Sequence, residues 1–190
     1  GLASLADGHW TILTGCRKGA VRRGLEAGDA TTPLALLTEL FGKDHVCVEL
    51  FDHGDPLDTR RNDALGELAR DMRLPVVATN NVHYAVPERA ALAEAIAAVR
   101  AVRSMDDLDG WLPAHGSAHL RSGAEMTARF QRYPGAISHG LELAAASAFP
   151  LRRARPALPT QVVPEGHTPM SWLRHLVWEA VPTTYPRLDA

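Results

Sequence analysis

The 190-residue chain has only two cysteines, 6% aromatic residues and no long apolar run. Cys16 and Cys47 form no CxxC pair, which argues against a disulfide framework and indicates a reducing compartment. No stretch approaches the roughly 18 consecutive apolar residues of a membrane span. The net charge of −2 excludes a strong chain-wide attraction to nucleic acid or to anionic membranes. We therefore expect a cytoplasmic protein with no membrane partner.

Several catalytic signatures are also missing. The chain has no GxxxxGK[ST] or GxGxxG loop to hold phosphates and no GxSxG nucleophile motif. No carboxylates sit on predicted strands in the arrangement that two-metal nucleotidyl transfer needs. The chain starts at Gly1 rather than Met and ends without a clear final element. We therefore expect a piece of a longer protein.

The first hundred residues alternate between strand and helix patterns. Apolar Val- and Ala-rich runs separated by amphipathic segments predict βαβ units and an α/β fold with a parallel sheet or barrel. The predicted strands cover 9–15, 46–51 and 74–80, and the predicted helices cover 18–26, 33–41, 58–72 and 87–101. We expect Thr32 to cap the second of these helices. We expect the helix over 87–101 to bury Leu92, Ile96 and Val99, which share one face.

The second half of the chain predicts helices joined by loops. Ser122 and Glu125 have the spacing of a capping box, which predicts a helix through about residue 132. A further helix is expected over 134–148. A proline-rich linker follows, and Thr168 then starts a last helix that we expect Pro182 to end.

Candidate functional residues follow each predicted strand. Cys16 follows the first strand and His53 the second, and Asn81 and His83 follow the third. Because parallel strands end at the same edge of a sheet, these side chains should meet there. Asn81 and His83 should also project together, since alternate residues of an extended segment point the same way. Imidazole and thiolate ligands favour zinc, whereas manganese prefers more oxygen ligands.

Each candidate also has a purely structural interpretation. Cys16 fits a small buried residue, and His53 fits a cap of the following turn. His83 equally fits a histidine that bonds a backbone carbonyl. Glu49, alone inside an apolar strand, is expected to pair with a neighbouring basic group.

Four segments of the chain carry a family resemblance. Residues 13–19 (LTGCRKG), 48–54 (VELFDHG) and 77–84 (VATNNVHY) resemble the polymerase-and-histidinol-phosphatase (PHP) domain of bacterial DNA polymerase III alpha subunits. Residues 110–123 (GWLPAHGSAHLRSG) resemble the error-prone branch of that family. The motifs occur in order and the resemblance covers nearly the whole chain.

The resemblance implies a fold and a division of the chain. The expected fold is the later half of a PHP-type distorted (β/α)7 barrel followed by a mainly helical connector. Residues 1–102 would form the C-terminal part of the barrel, 103–150 a loop and helices leading towards the polymerase palm, and 151–190 the proline-rich linker and terminal helix.

The resemblance also implies a metal site that has lost ligands. Cys16 matches a ligand of metal-binding members, and Asn81-Val82-His83 stands where the family has Asp-x-His. His53 matches a common family residue without being an assigned ligand. An amide in place of a carboxylate removes a negative charge, so the resemblance implies a degenerate Zn²⁺ or Mn²⁺ site.

The function implied is that of a fragment of an error-prone DNA-directed DNA polymerase. The parent would act on DNA and deoxynucleotides in repair, replication and synthesis across damaged templates, using Mg²⁺ at carboxylates outside this chain. Its further partners would be accessory proteins of replication or mutagenesis. Arg17 and Lys18 would contact nucleic acid. Two alternatives remain open, namely a PHP metal-dependent phosphoesterase or 3′–5′ exonuclease and a non-catalytic scaffold that binds partner proteins.

Overall fold

A computed structural model describes residues 1–108, 116–154 and 162–186. Residues 110–115 of the fourth family segment and residues 155–161 of the expected linker lie outside the described ranges. The chain divides into two compact units, Gly1–Ala148 and Phe149–Ala190. Within the described ranges, no helix combines the length and apolar character needed to cross a membrane.

The first unit is built on a three-stranded parallel sheet. Its strands are β1 (Ile12–Leu13), β2 (Val46–Leu50) and β3 (Val76–Ala78), in the order β1-β2-β3. Ile12 lies opposite Val46, and Val48 lies opposite Val76. Every residue of β2 is buried, as expected for the central strand of a covered parallel sheet. The prediction of a parallel sheet is confirmed, although each strand is shorter than predicted.

Eight α-helices lie in the described ranges, and four short 3₁₀ turns accompany them. The helices are α1 (Leu2–Ala6), α2 (Ala20–Ala27), α3 (Thr31–Phe41), α4 (Asp58–Met72), α5 (Ala90–Ala101), α6 (Gly123–Arg129), α7 (Ala136–Ala146) and α8 (Pro169–Thr184). The 3₁₀ turns are Lys43–His45, Pro87–Arg89, Met105–Asp107 and Leu151–Arg153. The capping box predicted for α6 is confirmed, because Ser122 and Glu125 bond reciprocally at its first turn.

The hydrophobic core lies where α2, α3, α4 and the sheet meet. Its fully buried members include Val21 of α2, Leu34 of α3 and Leu50 of β2. Phe130, just after α6, belongs to the same core. Helix α7 packs against β3. Helix α7 and Phe130, both within the first unit, therefore help to cover this sheet.

Three local expectations were wrong. Helix α3 begins before Thr32, and the Asp29 side chain accepts the Thr32 amide at 3.0 Å in place of the predicted cap. Helix α8 continues through Pro182 to Thr184, since a proline near a C-terminus removes only one backbone hydrogen bond. The face of α5 expected in the core is exposed, at 51%, 58% and 80% for Leu92, Ile96 and Val99. The periodicity of α5 identifies an apolar face, but it does not identify the surface that would cover this face.

Candidate functional site at the carboxyl edge of the sheet

The three strands end at one edge of the sheet, which we call the carboxyl edge. It comprises the loop 15–19 after β1, residues 51–54 after β2 and residues 79–84 after β3. The structure brings two of the predicted site residues together there. The His53 and His83 rings lie 6.3 Å apart between centroids and are nearly perpendicular, at 89°. Strand pairing therefore places residues 30 positions apart in one cluster.

The loop after β1 holds Cys16, Arg17 and Lys18 in a tight turn. The Gly19 amide donates to the Cys16 carbonyl at 2.7 Å, and Gly15 has a φ of 81°. A Cβ at Gly19 would collide with the Thr14 carbonyl oxygen, so this turn requires glycine there. Cys16 is a half-buried free thiol. Arg17 and Lys18 therefore lie in the turn just before α2.

His83 lies on the surface of the carboxyl edge among other cationic groups. Partial burial lowers its pKa, and the charges of His53, Arg17 and Lys18 lower it further. His53 follows β2, whereas Arg17 and Lys18 follow β1. Charges from the ends of both other strands therefore act on the His83 imidazole. Its backbone amide donates to the Ala118 carbonyl at 2.8 Å, which fixes where the residue leaves the sheet. The electrostatic surroundings favour the neutral imidazole.

Asn81 does not continue the extended geometry of β3. The strand ends at Ala78, and Asn81 has a φ of 39° in the left-handed region that asparagine tolerates better than most residues. The backbone amide of Asn81 donates to the Thr79 hydroxyl at 3.3 Å. The strand alternation that was to project Asn81 and His83 together therefore stops before it reaches them.

His53 is 6% exposed and is held from both sides. Its Nε2–H donates to the Asn80 carbonyl at 2.9 Å, and its backbone amide donates to the Asp58 carboxylate at 2.9 Å. The contact with Asn80 ties the end of β2 to the end of β3. His53 thus acts in the structure as a cross-strand tie, with one ring nitrogen committed to a carbonyl.

Residues 117–121 form a second wall of the edge, which the sequence pattern did not indicate. Arg121, 8% exposed, donates to the Asn80 side-chain oxygen at 3.2 Å and to the Ser117 carbonyl at 2.7 Å. The Ser117 hydroxyl donates to the His53 carbonyl. The Ala118 amide donates to the Tyr84 hydroxyl at 3.0 Å. Apart from the bond between Arg121 and Ser117, these contacts join distant segments, and no periodic pattern in the sequence indicates them.

A buried polar link lies beneath the edge. The Thr79 hydroxyl donates to Glu49 Oε1 at 2.5 Å, and the Glu49 amide donates to the Thr14 hydroxyl at 2.9 Å. The partner of the Glu49 carboxylate in the described residues is thus a hydroxyl rather than the basic group expected. Threonines directly after two strands were the available signal, because their hydroxyls can bond the neighbouring strand.

The loop after β2 is anchored through buried charges. The Asp58 carboxylate accepts the amides of His53 and Asp55, at 2.9 and 3.2 Å. The Arg22 guanidinium lies 4.0 Å from Asp58 and 5.3 Å above the Phe51 ring. Burial lowers the pKa of Arg22, and the neighbouring Arg61 lowers it further. This cluster holds the backbone that carries His53.

The donor set at the edge does not fit a resident divalent metal. Among residues 1–108, 116–154 and 162–186, no three or more His, Cys, Asp or Glu side chains are grouped to hold a metal ion. The amide of Asn81 is a weaker ligand than a carboxylate, and the cations around His83 oppose a further positive charge. A metal at this edge would need further ligands from outside the residues that the structure describes.

Comparison with known proteins gives a consistent result. The chain matches no protein-family model. It is 56% identical over 180 residues to a protein named Error-prone DNA polymerase from Cutibacterium acnes, covering 94% of this chain and 16% of that protein. The corresponding protein of Nocardia farcinica is 47% identical over 193 residues, covering 97% and 17%. A DNA polymerase III subunit alpha from Mycobacterium tuberculosis is 32% identical over 181 residues, covering 92% and 15%. The chain spans about a sixth of the length of these relatives.

Proposed function

Because this chain is homologous to one segment of the error-prone DNA polymerases, we propose that it is the PHP-domain segment of such a polymerase. The observation that carries the proposal is 56% identity along nearly the whole chain. The weaker similarity to a DNA polymerase III alpha subunit agrees with the family resemblance of the sequence motifs. The parent protein is then a DNA-directed DNA polymerase, a nucleotidyltransferase that acts in DNA repair and replication across damaged templates.

Within that polymerase, the chain serves as a structural platform. Residues 1–102 form the later part of a PHP-type barrel, and residues 103–150 lead from it towards the palm. The packing of α7 against β3 supports a rigid connection between the two parts. Phe130 in the shared core supports it as well. Residues 151–190 continue as a linker and terminal helix.

The chemistry of nucleotide addition belongs to the remainder of the parent. Mg²⁺ and the carboxylates that bind it lie outside this chain, together with most of the surface that binds DNA and deoxynucleotides. Cys16, Asn81 and His83 are the remnant of a Zn²⁺ or Mn²⁺ site that no longer assembles. The homology supports a cytoplasmic location, and accessory proteins of replication are the expected partners.

A segment exchange tests the proposal. The matching segment of the Cutibacterium acnes polymerase is replaced by this chain, and primer extension is measured on undamaged and abasic-site templates. We expect the chimera to extend primers within a few-fold of its parent, because a homologous platform preserves the interface with the palm. The isolated chain should show no extension under the same conditions.

The matched control is a chimera that carries the corresponding segment of the 32% identical alpha subunit. Circular dichroism and thermal unfolding establish that each chimera is folded. A folded but inactive chimera from this chain, together with an active control, would contradict the proposal. Clear synthesis by the isolated chain would contradict the assignment of the catalytic carboxylates to other segments.

A further inference from the structure

Helix α5 carries an exposed stripe of apolar side chains, formed by Leu92, Ile96 and Val99. Each is more than half exposed, and their spacings of four and three residues place them on one side of the helix. Ala98, on a different side of α5, is buried. Among the described elements, those that pack mainly against α5 are the two short 3₁₀ turns at its ends. They leave the apolar stripe exposed.

Small side chains surround the apolar stripe. Seven of the 12 residues of α5 are alanine, among them both neighbours of Ile96. The charged residues of α5 are Glu94 and Arg100, and neither belongs to the stripe. Small residues beside an apolar stripe allow the axis of a second helix to approach to about 8 Å. The stripe therefore suits contact with another apolar helix face.

Charges of opposite sign lie beyond the two ends of the apolar stripe. Glu88 precedes Leu92 by four residues, and Arg103 follows Val99 by four residues. Both charged side chains are exposed, and neither forms a salt bridge with another residue of the described ranges. The order along this part of the chain is therefore acidic, apolar and basic.

This order is self-complementary when two copies of α5 lie antiparallel. In the register that places Leu92 of one copy opposite Val99 of the other, the two Ile96 residues meet near the centre. The same register places Glu88 opposite Arg103 at both ends. A parallel arrangement would place each charge opposite the same charge and would align the two helix dipoles unfavourably. The pattern therefore favours a pair with two-fold symmetry.

We propose that the apolar stripe of α5 is the contact surface of a homodimer of this chain. Two copies pack their stripes together in antiparallel orientation, and a Glu88–Arg103 ion pair forms at each end. One pair of 12-residue helices is a small interface, so the dimer is weak, with a dissociation constant of roughly 10–100 µM. Below about 1 µM the chain is a monomer and the stripe is exposed. The dimer is independent of the proposed function, because it involves only residues of this chain.

Self-association is tested on the complete 190-residue chain by sedimentation equilibrium. The apparent mass should rise from 20.6 kDa towards twice that value as the concentration increases. We expect Ile96→Asp to raise the dissociation constant at least about tenfold, because it buries a carboxylate at the centre of the contact. The matched control is Leu36→Asp, which places the same charge on an equally exposed leucine of α3 and should change the constant less than about twofold. Circular dichroism and thermal unfolding establish that each variant is folded.

Charge reversal tests the antiparallel register. Glu88→Arg and Arg103→Glu should each weaken the dimer about fivefold, because two attractive contacts become contacts between like charges. The double variant Glu88→Arg/Arg103→Glu exchanges the two charges and should restore the dissociation constant to within about twofold of the original. Failure of the double variant to recover the affinity would overturn the proposed pairing.

Two other outcomes would overturn the proposal. A chain that stays monomeric up to about 300 µM would leave the stripe to another segment of the parent protein. Equal weakening by Ile96→Asp and Leu36→Asp would mean that the chain associates through apolar surface in general. These measurements need no primer extension, so an inactive chimera together with an intact dimer would count against the proposed function alone.

Discussion

At position 81, a single functional group separates this chain from the metal-binding motif it resembles. An amide stands there, and its left-handed backbone conformation is one that aspartate also adopts. The substitution Asn81→Asp should therefore change the charge of the carboxyl edge without refolding the turn. We expect zinc affinity to rise at least about tenfold, measured by competition with a chromogenic chelator.

Asn80→Asp is the matched control, because it adds the same charge one residue away, where the side-chain oxygen already accepts from Arg121. A similar rise in both variants would mean that net charge alone matters. Tight zinc binding by the unchanged chain would contradict the view that the site is degenerate. In that case the phosphoesterase alternative would become the better description of this segment.

Tyr133 gives a residue-level prediction in a different part of the first unit. Burial and the hydrogen bond to Asp63, at 3.0 Å, raise the pKa of the Tyr133 hydroxyl to about 12. A raised pKa means that its contribution to stability is complete below pH 10 and is lost as the pH rises towards 12. The difference in absorbance at 295 nm between the chain and Tyr133→Phe should show this late titration. A Tyr133 titration centred near pH 10 would contradict the buried hydrogen bond.

At the level of elements, the loop after β1 depends on the absence of a side chain at Gly19. A Cβ there meets the backbone carbonyl of Thr14, which cannot move without disturbing β1. We expect Gly19→Ala to lower the free energy of unfolding by about 1–3 kcal/mol in urea denaturation.

Gly123→Ala is the control for this prediction. Gly123 starts α6, and a Cβ there has no neighbour within 4 Å. Alanine favours helix, so this variant should be neutral or slightly stabilising. Equal destabilisation by the two alanines would show that general glycine effects, and not the contact with Thr14, explain the loss.

Helix boundaries show which elements can be predicted from sequence. The capping box of α6 is a local pattern, since Ser122 and Glu125 bond each other within one turn. Helix α3 begins earlier than its Thr32-Pro33 pattern indicated, because Asp29 supplies the acceptor from the preceding turn. A start signal read from residue types is ambiguous where several capping residues lie within one turn of each other.

At the level of the whole first unit, buried and exposed apolar residues should differ sharply in energetic importance. Leu34 of α3 is fully buried in the core, whereas Ile96 of α5 is 58% exposed. We expect Leu34→Ala to cost about 2–5 kcal/mol of unfolding free energy. Ile96→Ala should cost less than about 0.5 kcal/mol, since it leaves no cavity. Similar costs in urea denaturation would show that the α5 face is covered in solution.

Local pattern determined much of this protein. Alternating apolar runs and amphipathic segments were enough to predict a parallel sheet with intervening helices, and the motifs around Cys16 and His83 were enough to predict the homology that comparison confirms. These features can be predicted from the sequence because each depends on residues that are close together in the chain. The barrel itself stays a proposal.

Tertiary structure alone decided the character of the carboxyl edge. The contacts of Arg121 with Asn80, of Ser117 with His53 and of Thr79 with Glu49 join segments 30 to 64 positions apart. It also left the α5 face exposed, because periodicity identifies an apolar face but not the surface that would cover it. The charge and the burial of this edge depend on residues from distant segments of the chain, and these residues come together only when the chain folds.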